Sequence, residues 1–260
     1  MTTSIYEQIA HYYDLTHARL TEDIPYILQL ARQSGGPVLE LGCGSGRLLI
    51  PLAQAGYTAL GVDNSPAMLT RAQARVQQLP PAQAARVQLL QADMTQLTLT
   101  AAPSYGLALL PYNTAMHLTP PQLTQTLRRV QRYLGQNGRL LIDLANPFIV
   151  AATLNDHMVT LENVFTDPET GETIVQMASN WLDAEAQILH ITWLYDASPT
   201  AGGAVQRTVV QADYHYWYPH QLEMALHDAG LRALRFSGDY ADAPFDQESE
   251  RLLLLAAPSP

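Results

Sequence analysis

One stretch constrains this chain more than any other: VLELGCGSGRLLIPLAQAGYTALGVDNSP, Val38 to Pro66. Val38 to Leu41 is a short apolar run between turn residues and reads as a buried strand. Gly42, Gly44 and Gly46 follow. A helical pattern then runs from Arg47 to Ala55 and stops at Gly56. A second short strand fits Thr58 to Val62. Asp63 comes next, ahead of Ser65-Pro66, which has the form of an N-cap with proline at the first helical position. Glycines between a strand and a helix let backbone approach a ligand closely, because no side chain stands in the way. Such a turn also aims free N–H groups and the positive helix end at that ligand.

The same alternation continues. The helix begun at Ser65-Pro66 carries Met68, Leu69, Ala72 and Val76 on its apolar face and ends at Pro80-Pro81. Strands are expected at Arg86–Leu90, Tyr105–Leu110 and Arg139–Leu144, with a helix from Thr119-Pro120 to near Gly135. Strand and helix joined by short connections make an α/β fold, a parallel sheet with helices on both faces. After Pro147 the pattern changes. His157 to Tyr216 alternates like strands and is broken by turn signals at Asp167–Glu172, Leu182–Gln187 and Ala197–Ala204. This predicts a four-stranded antiparallel insertion. A helix at Pro219–Ala229 and strands at Leu231–Ser237 and Arg251–Ala256 close the chain. The expected division is a core of residues 1–150 and 217–260 with an insertion at 151–216.

Charge and cysteine usage exclude whole classes of function. The net charge is −10, and all 14 positive side chains are arginine. Lysine-based covalent chemistry is therefore absent. Nucleic-acid binding needs clustered basic residues to neutralise phosphates, and no such cluster or RNA-binding signature is present. Cys43 is the single cysteine, so there is no intrachain disulfide and no multi-cysteine metal site; no metal is expected. The first residues, MTTSIYEQIA, do not form a secretory signal. No apolar run approaches the roughly 18 residues of a membrane span. The expectation is a cytoplasmic protein with no membrane or nucleic-acid partner.

Which ligand does the glycine turn serve? A dinucleotide fingerprint, G-x-G-x-x-G, places Arg47 at its third glycine, or Leu49 if counted from Gly44. The match is poor. Glu40 to Gly46, ELGCGSG, instead resembles the first motif of class I S-adenosylmethionine-dependent methyltransferases. GVDNSPAML resembles that family's second-strand motif, LQADMTQL its third-strand motif, and PYNTAMHL the fourth-strand motif of its small-molecule members. The resemblance implies a Rossmann-like seven-stranded sheet with helices on both faces and the antiparallel insertion as a lid. It also implies S-adenosyl-L-methionine as cofactor, bound by Glu40, Gly42, Gly44, Gly46, Asp63, Asn64, Met68, Asp93, Met94 and Asn113. Asp63 would accept from the ribose hydroxyls, or serve only as the turn acid before Ser65. Asp93 would accept from the adenine amine, with Met94 on the ring, or form an Asx turn. Glu40 would face the amino-acid end, or brace the loop as a buried acid. Asn113 would meet the ammonium, or belong to a turn. Arg47 stands where it can reach the ligand carboxylate or stay solvated.

The stretch Tyr6 to Leu20 also resembles this family, whose members carry a Y-D pair on a helix over the cofactor; here these are Tyr13 and Asp14. Tyr13 would cover the sulfonium end, or pack with Ile5, Ile9 and Tyr12 on the core. His117, just past the fourth strand, is the candidate general base, with capping of the next helix as its other reading; His11 and Asp143 are weaker alternatives. In the insertion, Leu189, Ile191, Trp193 and Tyr195 share one strand face and Ile188, His190, Thr192 and Leu194 the other. Apolar groups on both faces predict two contacts: one closes over the active site, the other packs on the domain or forms a homodimer. The resulting expectation is methyl transfer to N or O of a small-molecule acceptor. A non-catalytic S-adenosylmethionine-binding protein is the alternative, and both have the same glycine turn.

Overall fold

A computed structural model describes residues 5–17, 19–100, 104–153, 155 and 157–260. The expected domain ranges also include residues 1–4, 18, 101–103, Leu154 and Asp156, which lie outside that set. The strands of the core are β1 (Val38–Leu41), β2 (Ala59–Asp63), β3 (Val87–Gln91), β4 (Tyr105–Leu110), β5 (Leu134–Ala145), β10 (Leu231–Ser237) and β11 (Arg251–Pro258). They form one seven-stranded sheet in the order β10-β11-β5-β4-β1-β2-β3. β11 runs antiparallel to both β5 and β10, while the other pairings are parallel. The strand order reverses between β1 and β4, so the crevice for a ligand lies at their carboxyl ends.

The helices are α1 (Ile5–His17), α2 (Asp23–Ser34), α3 (Leu49–Gln54), α4 (Pro66–Gln77), α5 (Pro81–Ala84), α6 (Pro120–Tyr133), α7 (Pro147–Ala151) and α8 (Pro219–Asp228). β1 and β4 are buried on both faces, as a sheet covered on both sides requires. Leu39, Leu41, Leu110 and Ile142 face one apolar cluster; Val38, Leu107, Leu109 and Leu141 face the other.

Several boundaries differ from the sequence reading. The expected helix from Arg47 is an irregular turn until Leu49, and α3 is only six residues long. β5 begins at Leu134, not Arg139, because α6 passes directly into the strand. Three helices were not anticipated. α5 and α7 each start with proline but are too short to show periodicity. α2 buries Asp23 completely, and its acid start hides the apolar stripe of Tyr26, Ile27 and Leu30. Arg47 explains that acid: it donates to both Asp23 carboxylate oxygens at 2.7 and 2.6 Å.

The insertion is a separate four-stranded antiparallel sheet of β6 (Val159–Thr166), β7 (Thr173–Asp183), β8 (Ile188–Ser198) and β9 (Gln206–His215), in that order. It leaves the core after α7 and returns before α8. On β7, Ile174, Gln176, Ala178 and Leu182 are buried and their neighbours are not. β9 buries Val210, Ala212 and Tyr214. The inner face packs on α1: Ile9 joins Ile174, Tyr195, Ala197 and Val210 in a small cluster, and Tyr12 stacks on Tyr195 at 4.5 Å. The outer face and β6 leave Val159, Leu161, Val164, Trp181 and Val209 exposed.

α1 is tied down on two sides. Glu7 accepts from the Ser65 hydroxyl and from the Ala67 N–H, at the N-terminus of α4. Asp14 pairs with Arg71 and, at 2.9 Å, with Arg75 on the same helix. His11 meets Asp167, in the β6–β7 turn, at 2.7 Å. Among the described residues, no helix is long and apolar enough to cross a membrane.

Candidate active site

Gly42, Gly44 and Gly46 all have positive φ, the left-handed region that suits glycine. Gly42 needs its missing side chain most: a Cβ there would fall 2.6 Å from Thr114 Cγ2. A Cβ on Gly46 would meet Ala72 on α4 at 3.3 Å, so this glycine lets turn and helix close up and is not in the cavity lining. Against the expectation of free N–H groups, none of the three glycine amides is free. Gly42 and Cys43 donate to Val62 O, Gly46 donates to Cys43 O, and Gly44 donates to Asp63 Oδ2. The glycines serve close approach; the Gly42 and Gly44 N–H groups hold the turn to β2, and that of Gly46 closes the turn on itself.

Two chambers meet at the carboxyl edge of the sheet. The first, about 170 Å³, is lined by Gly42, Gly44, Asp63, Asn64, Met68 and Met94, with Tyr6, Tyr13, Tyr112, Thr114 and His117. Asp63 Oδ1 also accepts from Ser65 N at 2.9 Å. Each carboxylate oxygen thus holds one backbone N–H and keeps a lone pair for the chamber. Burial raises the Asp63 pKa, and the N–H bonds from Ser65 and Gly44 oppose that rise. A small recess leads from the first chamber to Glu40, past Tyr13, Gly42, Tyr112 and Thr114. Glu40 is buried, its Oε2 has no partner, and burial pushes its pKa up to about 8.

The second chamber, about 340 Å³, lies between α1, the β4–β5 side of the core and the inner face of the insertion. Leu189, Ile191, Trp193 and Tyr195, one of the two faces the alternation defines, form its wall. Tyr6, Tyr13, Tyr112 and His117 line both chambers. His117 Nε2 lies 2.8 Å from the Tyr6 hydroxyl, and burial lowers the His117 pKa to about 4. Burial also drives the Tyr6 phenol well above its ordinary value, so both groups are neutral and the imidazole tautomer sets which of them donates. His117 does not cap α6: the Gln122 side chain accepts from Thr119 N there. Tyr13 stands over the turn, with a ring carbon 3.9 Å from where a Gly44 Cβ would be. Its ring stacks on His17 at 4.0 Å.

Some expected site residues are elsewhere. Asp93 is exposed at the end of β3, outside the lining; its Oδ1 accepts from Thr95 N and Oγ1, the Asx-turn reading. Asn113 lines the second chamber rather than the first. Its carbonyl accepts from Met116, and its Oδ1 from Ala145 N at 2.7 Å and Arg251 at 3.1 Å. Its Oδ1 is thus filled by two donors, and Asn113 does not reach the first chamber. Asp143 is fully buried, held by Arg251 at 2.6 Å and by the Tyr240 hydroxyl at 2.9 Å, and it accepts from Tyr112 N at 3.3 Å. It braces the loop from below. Asp143 and His11 do not line either chamber, and Arg47 is committed to Asp23.

Tyr6, Tyr112, Thr114 and Gln176 are among the lining residues that the sequence reading of the site does not name. Tyr6 is seven residues before Tyr13, hence on the same helix face, and that spacing was a usable signal. Tyr112 and Thr114 belong to a loop whose shape depends on left-handed φ at Tyr112 and Asn113. Gln176 is far in sequence and carries no motif.

The residues present fit S-adenosylmethionine. Asp63 and Asn64 offer polar groups for a diol, Met68 and Met94 flank an apolar ring slot, and the orphaned Glu40 oxygen suits an ammonium. A methyltransferase-domain family model matches residues 38–138, from β1 into β5. The chain is 25% identical to YqeM of Bacillus subtilis (strain 168), provisionally named as a methyltransferase, over 98% of both chains. An S-adenosylmethionine-dependent methyltransferase from Clostridium acetobutylicum ATCC 824 has the same fold, with TM-score 0.78 and 18% identity, covering 99% of this chain and 100% of that one. The sugar N-methyltransferase KedS8 from Streptoalloteichus sp ATCC 53650 superposes with TM-score 0.73 and 21% identity, covering 95% and 93%.

Proposed function

We propose that this chain, a member of the class I S-adenosylmethionine-dependent methyltransferase family, transfers a methyl group to N or O of a small molecule held in the second chamber. One observation carries this reading: His117 lies at the junction of the two chambers, neutral and hydrogen-bonded to Tyr6.

S-adenosylmethionine, its cofactor, supplies a methyl group on a sulfonium, with a neutral thioether as leaving group. The chain supplies place and proton handling. Gly42 and Gly44 admit the ligand close to the backbone, Asp63 accepts from its ribose, and Glu40 accepts from its ammonium. Tyr13 covers the shared wall of the chambers, where an aromatic face favours positive charge. In the tautomer that donates Nε2–H to the Tyr6 oxygen, His117 takes the proton from the acceptor on Nδ1, while Tyr6 holds the ring in place. Orientation of two reactants is worth on the order of 7–11 kcal/mol, and a base adds a factor of about 10²–10⁴. The insertion, residues 151–216, is read as the lid that keeps the acceptor aligned and dry. KedS8, a sugar N-methyltransferase, agrees with a small acceptor.

Incubating the protein with labelled S-adenosylmethionine and a library of small amines and alcohols should yield S-adenosylhomocysteine with some members. No turnover across the library, together with measured cofactor binding, would favour a non-catalytic binder.

A further inference from the structure

The protein's net charge of −10 favours a neutral or cationic acceptor over a polyanion, and the second chamber narrows that choice. Among its described lining residues there is no aspartate, glutamate or arginine. The carboxylates next to lining residues in sequence have partners elsewhere: Glu7 has Ser65, Asp14 has Arg71, Asp196 has Arg207 and Asp213 has His190, while Asp143 is held by Arg251. His17 and His117 line the chamber, and burial lowers both pKa values. A cationic acceptor would meet the same desolvation with no counter-charge. An anionic one would meet no guanidinium.

The walls are instead apolar and aromatic, with Leu189, Ile191 and Trp193 of β8 facing Met116 and Val150 of the core. One polar atom stands out. Gln176 is 9% exposed, lines this chamber, and its Oε1 has no hydrogen-bond partner. It lies directly opposite Tyr195 on the neighbouring strand, so both side chains are on the inner face. A buried acceptor without a donor is costly unless a ligand supplies one.

We propose that the second chamber takes an uncharged acceptor with an apolar, ring-sized body and an N–H or O–H group that donates to Gln176 Oε1. The assignment rests on the chamber being the acceptor site of the methyltransferase. It makes Gln176 a specificity-determining residue, set apart from the proton-accepting His117.

The test uses binding, not turnover, so it can fail separately from the proposed activity. Calorimetric titrations of the full chain with S-adenosylhomocysteine present would compare 2-naphthol, naphthalene and 2-naphthoate. Expected is binding of 2-naphthol, about tenfold weaker binding of naphthalene, and still weaker binding of the carboxylate. Gln176→Met should bring 2-naphthol down to the level of naphthalene and leave naphthalene unchanged. The wild-type comparison stands even if that variant does not fold. Preferred binding of 2-naphthoate, absence of binding by all three, or an unchanged 2-naphthol affinity in Gln176→Met overturns the proposal. If turnover is found with a charged acceptor while the probes do not bind, this inference fails and the methyltransferase reading survives. If the probes bind as expected and no acceptor is turned over, the reverse holds.

Discussion

The two chambers share four side chains but are built in different ways. The first is made from main chain: strand ends, a glycine turn, and an acid that holds Gly44 and Ser65 by their N–H groups. Its polar groups are fixed by the sheet. The second is made from side chains brought together over long distances, with Gln176 and Trp193 of the insertion facing Val150 and Met116 of the core. Backbone construction suits a ligand that stays the same, and side-chain construction lets the acceptor change without disturbing the sheet.

The contrast can be broken most sharply at the junction. His117→Ala should lower turnover by a factor of about 10²–10⁴ while cofactor affinity, read by calorimetry, stays nearly unchanged. Since the His117 pKa is lowered to about 4, the wild-type pH–rate profile should lose its base form only as pH falls through about 4, with no limb near 6.5. A profile unchanged in the variant would remove His117 from the reaction.

A second perturbation should harm both chambers at once. Arg251 pairs with the buried Asp143 and also holds Asn113. Arg251→Ala leaves Asp143 buried without its cation, a loss on the order of 3–5 kcal/mol that a urea titration would show. If stability fell by a few tenths only, the bracing role of the pair would be wrong.

Asp63→Ala should separate the chambers. It removes the ribose acceptor and two turn bonds, weakening S-adenosylmethionine by about 1–3 kcal/mol. Binding of 2-naphthol to the second chamber should persist. Equal loss in both would mean that the chambers are not independently built.

The smallest effect concerns Glu40. With its pKa raised to about 8, the free protein holds a proton there at pH 7. A ligand ammonium favours the carboxylate, so binding releases that proton and affinity rises as pH increases towards 8. Calorimetry in two buffers of different ionisation enthalpy should detect the release, and Glu40→Gln should abolish it. A binding enthalpy that does not depend on buffer in the wild type would dismiss the contact.

The same division decides what could be read from the sequence. Gly42, Asp63, Met68 and Met94 were legible because local rules place them: a left-handed turn, a strand end, a helix start. The four strands of the insertion were legible from alternation and from Asp167–Glu172. Asn113 lies outside the first chamber, and its carboxamide oxygen is taken by Ala145 and Arg251, partners 32 and 138 residues away. Asp93 sits at the expected strand end, but Thr95 captures its oxygen locally. Gln176 could not be found in advance, since its meaning depends on facing Tyr195 and on the absence of a partner. The helix α2 was missed for a related reason: its buried acid makes sense only once Arg47 is beside it.

The clasp between Arg251 and the loop at Asn113 bears on how the enzyme is made. Chains emerge from the ribosome N-terminal end first. The glycine turn, Asp63 and the first four strands of the sheet can meet early, since they are close in sequence. The loop carrying Tyr112 and His117 has no cation beneath it until residue 251 has been synthesised and β11 has slid between β5 and β10. A nascent chain can therefore form the glycine turn and the Asp63 contacts well before it can brace the loop that both chambers share. Ribosome-bound intermediates stalled before Arg251 would have the turn without the braced loop, so the junction of the chambers is the last part the growing polypeptide completes.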